Sequence, residues 1–114
     1  IVQYVDTTLS EPPLMTRPAT TLDMALLDRA ASVIKCLGHP LRLQLLDLME
    51  DGEATVTDLQ ARTGATQAMV SHQLATLRGH GVVSARRDGA FVRYSIAEPK
   101  VHAILDCLRG CGAA

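Results

Sequence analysis

The sequence predicts a mainly α-helical domain with a single small β-hairpin near its C-terminal end. Three observations predict it. Apolar residues recur at three- and four-residue spacings through most of the chain, with Gly, Pro, Thr or Asp at the breaks. After Gly81 the period switches to two around Asp88-Gly89, a strong hairpin signal because both residues tolerate positive φ. Apolar residues make up 47% of the 114, yet only Tyr4, Phe91 and Tyr94 are aromatic, so aliphatic helix packing supplies the core.

Residues 1–20 carry Pro12, Pro13 and Pro18 among Thr and Ser without sustained periodicity. They read as a mobile arm ahead of one domain over residues 21–112. Thr21 or Asp23 caps the first helix, in which Leu22, Leu26, Ala30, Val33 and Leu37 keep helical spacing and Leu27, Ala31 and Ile34 widen the apolar face. So broad a face must be buried on more than one side, and in a chain this small a dimer partner is the expected cover. Gly38 stops this helix. Pro40 suits the first turn of a second, lined by Leu41, Leu45, Leu48 and Met49 and ended by Gly52.

Ala54–Val56 reads as a short strand, after which Thr57 caps a third helix that buries Val56, Leu59 and Ala61. Gly64 terminates it and Thr66 caps a fourth, over residues 66–81. Here Val70, Leu74 and Leu77 form one buried stripe, while Gln67, Ser71, His72, Thr76 and Arg78 lie off it. Two helices joined by a tight glycine-containing turn, the second with a polar, acid-free N-terminal face, make a helix-turn-helix suited to a major groove.

The hairpin alternates Val83 and Ala85 outbound and Val92, Tyr94 and Ile96 on the return, with Arg86, Arg87 and Arg93 flanking its tip. Such charges can simply protect an exposed sheet edge. Directly after a helix-turn-helix, they read better as a wing that reaches the DNA backbone or minor groove. Pro99 opens the last helix. Val101, Ile104, Leu105 and Leu108 form its buried stripe, His102, Asp106 and Arg109 lie opposite, and Cys107 and Cys111 share one flank.

The net charge of −1 speaks at first against a nucleic-acid partner, but the distribution reverses this. Residues 62–97 hold five arginines against Asp88 alone, a local charge of +4 that leaves −5 for the remainder. A basic face on a mildly acidic body suits a phosphate backbone. The scarcity of aromatics excludes a stacking platform for single strands. No paired carboxylates, phosphate-cradling glycine loop or Cys–His–acid arrangement points to an enzyme. No apolar run approaches the roughly 18 residues of a membrane span, and no basic-then-apolar leader opens the chain. The expectation is a cytoplasmic protein with reduced thiols and no membrane association.

The order helix, helix, short strand, helix-turn-helix, wing, helix resembles the ArsR/SmtB-type bacterial repressors. The residues that carry the resemblance are Leu37-Gly38-His39-Pro40-Leu41-Arg42, Gln67 through Leu74, Gly81-Val82-Val83, and the wing from Arg87-Asp88-Gly89 to Val92-Arg93-Tyr94-Ser95. It covers roughly residues 22–111. It implies a homodimeric winged helix-turn-helix, paired through its first and last helices, that binds a palindromic double-stranded operator and releases it when an effector binds. Carried over by position, Gln67, Ala68, Ser71 and His72 would face the major groove, with Gln73 nearby, and Arg86, Arg87 and Arg93 would meet phosphates.

The resemblance also implies sensing through metal sites or thiols, without a tightly bound cofactor for DNA binding. The positions of a zinc-type site on the last helix hold Glu98, Lys100, Cys111 and Ala114, a set that cannot ligate well. The third helix lacks the cysteine cluster of many arsenite sensors, and Thr76 and His80 stand where a cadmium- and lead-sensing branch has thiols. Persulfide sensors place one cysteine in the second helix, which here has none. Cys36, Cys107 and Cys111 remain, on the two helices the resemblance pairs. Three converging thiolates suit a soft ion such as As(III), Cd(II), Hg(II) or Pb(II). Two other readings stand beside this: thiol redox or persulfide sensing, and Cys36 as a small buried hydrophobe. A thiol enzyme and a winged helix that no longer binds DNA are the remaining alternatives.

Overall fold

The computed structural model describes residues 21–112; the expected arm, residues 1–20, and the last two residues lie outside that range. The element order is α1 (Met24–Leu37), α2 (Pro40–Leu48), α3 (Val56–Thr63), α4 (Gln67–Gly79), β1 (Val83–Asp88), β2 (Phe91–Ile96) and α5 (Lys100–Gly112). The two strands form one antiparallel hairpin, so the mainly α winged arrangement is the observed one.

The helix boundaries follow from side chains that satisfy orphan backbone groups. Asp23, not Thr21, caps α1, accepting from the Leu26 N–H through Oδ1 at 2.7 Å. His39 caps α2, its Nδ1 accepting from Leu41 N–H at 3.2 Å, with Pro40 in the first turn. α2 ends at Leu48 rather than at Gly52. The Met49 N–H is shared between the Leu45 and Leu46 carbonyls, both at 3.1 Å, and this tightening closes the helix early.

The expected strand at Ala54–Val56 is a single bridge, in which Ala54 and Tyr94 exchange backbone bonds of 3.0 and 2.8 Å. Val56 already belongs to α3, and the cap is Thr55, not Thr57. Thr55 Oγ1 accepts from Asp58 N–H while Asp58 Oδ2 accepts from Thr55 N–H, both at 3.1 Å. This reciprocal box starts the helix two residues earlier than expected. Ala61, two residues on from Leu59 and so about 200° around the helix, faces outward, and Leu59 is the fully buried residue of α3.

Val70, Leu74 and Leu77 of α4 are fully buried, as their stripe predicts. They share one core with Leu45, Leu46 and Met49 from α2 and its cap, Leu59 from α3, Val82 and Val83, Val101 and Leu105 of α5, and Cys36 and Leu37 at the end of α1. In the hairpin, Val83 faces Ile96, Ala85 faces Tyr94 and Arg87 faces Val92. Asp88 pairs with Phe91, so the turn residues are Gly89 and Ala90, one position beyond the expected Asp88-Gly89. Gly89, at φ +63°, supplies the left-handed conformation.

Both terminal helices leave apolar surface uncovered. α1 buries only Cys36 and Leu37, while Met24, Leu27 and Ile34, with Leu22 just ahead of the helix, are exposed, Ile34 by 64%. Leu108, expected in the buried stripe of α5, is 45% exposed, because no described segment of the same chain reaches it. A groove of about 600 Å³ runs between α1, the end of α4 and the start of α5, with Val33, Ile34, His80, Val101 and Ile104 among its walls. Among the described residues no helix is long and apolar enough to cross a membrane.

Candidate nucleic-acid interface

The turn between α3 and α4 is fixed by three local devices. Gly64 takes φ +76° as the C-cap of α3, and its N–H donates to the Gln60 carbonyl at 3.0 Å. Thr63 Oγ1 donates to the Leu59 carbonyl at 2.8 Å and accepts from Ala65 N–H at 3.2 Å. Thr66 Oγ1 then accepts from Met69 N–H at 3.1 Å and starts α4. With the apolar stripe buried, Gln67, Ala68, Ser71 and His72 are all exposed, and the first turn carries no acid. Thus four of the five sequence-predicted residues of this helix lie on one open, polar, N-terminal face.

Gln73 differs. It is half-buried, and its Oε1 accepts from Arg42 Nε–H of α2 at 2.7 Å. At the far end His80 caps α4, its Nδ1 donating to the Thr76 carbonyl at 2.9 Å, since a carbonyl can only accept.

The wing arginines occupy three different environments. Arg86 grips Glu53 with two bonds, Nε to Oε2 at 3.0 Å and Nη2 to Oε1 at 2.6 Å. Arg93 donates Nε–H to Asp88 Oδ2 at 2.7 Å. Arg87 makes no hydrogen bond or ion pair among the described residues, and it is exposed. The register sets Arg86 directly opposite Arg93, which by itself is repulsive, and the two carboxylates offset that repulsion. The Arg86 guanidinium beside Glu53 holds its carboxyl below the usual range, as Arg93 does for Asp88. These pairs lie in solvent, where screening makes an ion pair weak and readily exchanged. Glu53 was not singled out from the sequence. The Ala54–Tyr94 bridge brings it to the wing, and no local pattern announces that.

Behind the interface, α5 is clasped to the end of α2. His102 Nδ1 lies 2.7 Å from Glu50 Oε2, and Arg109 pairs with Asp47, Glu50 and Asp106. The polar flank of α5 is therefore a bridge to α2. His102 first, then Arg109, holds the Glu50 carboxyl below its usual range against the opposing effect of burial.

The cysteines fall into two classes. Cys36 is buried in the core, whereas Cys107 and Cys111 are exposed on α5. Among the described residues no three His, Cys, Asp or Glu side chains of one protomer are gathered so as to hold a metal ion.

The comparisons with known proteins agree with this geometry. The chain matches the family model of bacterial regulatory proteins of the arsR family over residues 39–85, from the cap of α2 into β1. It is 38% identical over 90 residues to the HTH-type transcriptional regulator NmtR of Mycobacterium tuberculosis, covering 79% of this chain and 75% of that protein. It is 41% identical over 87 residues to a probable mercury resistance operon repressor of Streptomyces lividans, covering 76% and 69%. Among solved structures it is similar to HlyU of Vibrio cholerae, with a TM-score of 0.74, 27% identity, and 81% and 100% of the two chains covered. It is also similar to the homodimeric winged helix-turn-helix DNA-binding domain of Mb0332 from Mycobacterium bovis, with a TM-score of 0.71, 35% identity, and 84% and 91% covered.

Proposed function

The chain belongs to the arsR family of bacterial regulatory proteins, DNA-binding regulators rather than enzymes, and on that premise we propose that it is a homodimeric repressor released from its operator by a soft ion at its cysteines. The observation that carries the DNA half of this reading is the open polar face of α4. Its stripe is fully buried, so Gln67, Ala68, Ser71 and His72 are left facing outward at the N-terminal end. Side chains of that kind meet base edges, while Arg87, and Arg86 and Arg93 once exchanged from their carboxylates, meet phosphates.

One recognition helix reads only a few base pairs, so useful specificity needs two copies about one helical turn apart. The uncovered apolar faces of α1 and α5 are the natural place for the partner. The homodimeric state named for the Mb0332 domain supports the same choice.

For the effector, Cys107 and Cys111 would offer two soft thiolates from one flank of α5, and Cys36 a third. Within one protomer these residues do not make a metal site, so the site would have to be completed across the dimer, with Cys36 leaving the core. The probable mercury resistance operon repressor among the relatives supports a thiophilic ion. The burial of Cys36 beside the exposure of the other two favours a second reading, thiol redox or persulfide chemistry at the exposed pair.

One experiment addresses these readings together. A duplex is first enriched from a random pool by the wild-type protein, and gel shifts are then run with As(III), Cd(II), Hg(II), Pb(II), hydrogen peroxide and a persulfide donor. Release by an ion that is lost in the Cys36→Ser, Cys107→Ser and Cys111→Ser variants supports the three-thiol sensor. Release by oxidant or persulfide alone supports the second reading. Release by an ion in all three variants eliminates the cysteines as its site.

A further inference from the structure

The side chain of Arg42 joins three helices. It stands on α2, donates Nε–H to Gln73 Oε1 of α4 at 2.7 Å, and donates Nη1–H to the Cys36 carbonyl at the end of α1 at 2.9 Å. That carbonyl is among the last four of α1, which have no partner inside the helix. The neighbouring carbonyls of Lys35 and Leu37 accept from Gly38 and His39 N–H at 3.2 and 2.8 Å, and Arg42 satisfies the one between them.

We propose that Arg42 is a positioning residue for DNA recognition, locking the rotation of α4 to the end of α1, with Gln73 as its acceptor rather than a reader of bases. The inference rests on the DNA-binding reading above and adds the means by which α1 sets α4. Its physical basis is the guanidinium fork. The planar group holds its donors in fixed directions, so two acceptors bound at once are fixed relative to each other, which a lysine ammonium on a flexible stem cannot do. Both bonds are charge-assisted and partly shielded from water, the setting in which a hydrogen bond contributes most.

Gln73 follows Ser71 and His72 directly, and successive helical residues differ by about 100° around the axis. Tethering Gln73 therefore fixes the direction in which Ser71 and His72 point. The same fork carries signals. The acceptor on α1 is the carbonyl of Cys36, so any change that moves this cysteine also moves the anchor from which α4 is held.

The test is a double-mutant cycle on the full chain with Arg42→Met, which keeps the apolar stem, and Gln73→Met, which keeps length but replaces the amide oxygen with a weakly accepting thioether. The probes are a duplex enriched from a random pool by the wild type and a scrambled duplex of equal length and composition. Each single substitution is expected to weaken binding to the enriched duplex about tenfold, since hydrogen bonds to charged groups are of that order. The double variant should fall within about twofold of the weaker single one, because the two residues act as one unit. Binding to the scrambled duplex should change less than about twofold, and its salt slope should not change.

Multiplying losses would mean that Gln73 reads DNA independently, and equal weakening on both duplexes would mean a general folding or phosphate role; either overturns the proposal. Amide hydrogen exchange without DNA supplies a second readout. Exchange in α4 should quicken in Arg42→Met while the hairpin over Val83–Ile96 is unaffected, and unchanged exchange in α4 also overturns the proposal. If no sequence is enriched from the pool, the operator-binding reading fails, and the exchange measurement still decides whether Arg42 positions α4.

Discussion

Arg86 and Arg87 are neighbours on β1, and a phosphate reaching them meets different competitors. Arg87 is exposed and its side chain has no partner among the described residues, whereas Arg86 already holds both oxygens of Glu53. Arg87→Ala is therefore expected to weaken binding to enriched and scrambled duplexes alike and to lower the salt slope by about one. Lost discrimination at an unchanged slope in filter-binding titrations would refute this placement of the wing. Glu53→Gln should do the reverse, freeing Arg86 so that affinity rises on both duplexes and the salt slope steepens. An unchanged slope would show that Arg86 stays off the DNA. The arginines themselves were legible in the sequence, because a basic tip beside Asp88-Gly89 is a local pattern. Glu53 was not, since it lies 33 residues from Arg86 and only the bridge between Ala54 and Tyr94 brings it near. The tether on Gln73 is a contact of the same long-range kind.

α3 depends on the exchange of bonds between Thr55 and Asp58. The Asp58 carboxyl is held below its usual range, chiefly by the Thr55 backbone N–H and then by the Thr55 side chain. A carboxyl whose folded value is depressed stabilises the fold above its unfolded pKa, about 3.9 for aspartate, and loses that contribution as pH falls through the folded value. Asp58→Ala should accordingly lower the melting temperature at pH 7. The difference from wild type should shrink below about pH 4 in thermal melts followed by circular dichroism. A loss independent of pH would show that the ionised carboxylate is not what stabilises α3, since alanine itself is the better helix former.

The sequence carries the capping pattern Thr55-x-x-Asp58, yet the alternation of Ala54 and Val56 competes with it as a strand signal and points to Thr57 as the helix start. A single pairing residue is too short to be told from a strand by periodicity. The α4 stripe, with three buried residues and a threonine cap, was unambiguous because every local signal agreed.

At the scale of the molecule, the exposed Leu22, Met24, Leu27, Ile34 and Leu108 matter more than any buried residue. Helical spacing puts Leu22, Leu27, Ile34 and Leu108 on apolar faces, but it carries no information on whether the covering surface belongs to the same chain. Ile34→Glu is expected to yield monomers in sedimentation velocity. Its affinity for the enriched duplex should fall at least about tenfold, since one recognition helix reads too few base pairs. A dimer that persists with full affinity would place the interface elsewhere. Acid should act on the clasp between α2 and α5 as well. The depressed Glu50 carboxyl contributes stability above its unfolded pKa, about 4.3 for glutamate, and that contribution disappears as pH falls through the lower folded value.

The burial of Cys36, at 2% exposure, also sets a timescale. A reagent or ion can reach this sulfur only while the end of α1 has swung off the core, so its reaction rate counts those openings. Cys107 and Cys111, exposed on α5 within one protomer, need no such opening of the core. If the effector must capture Cys36, release of the operator becomes zero-order in the ion once the exposed pair is saturated. Raising the dose further would then leave the delay unchanged, because the delay belongs to the protein and not to the metal.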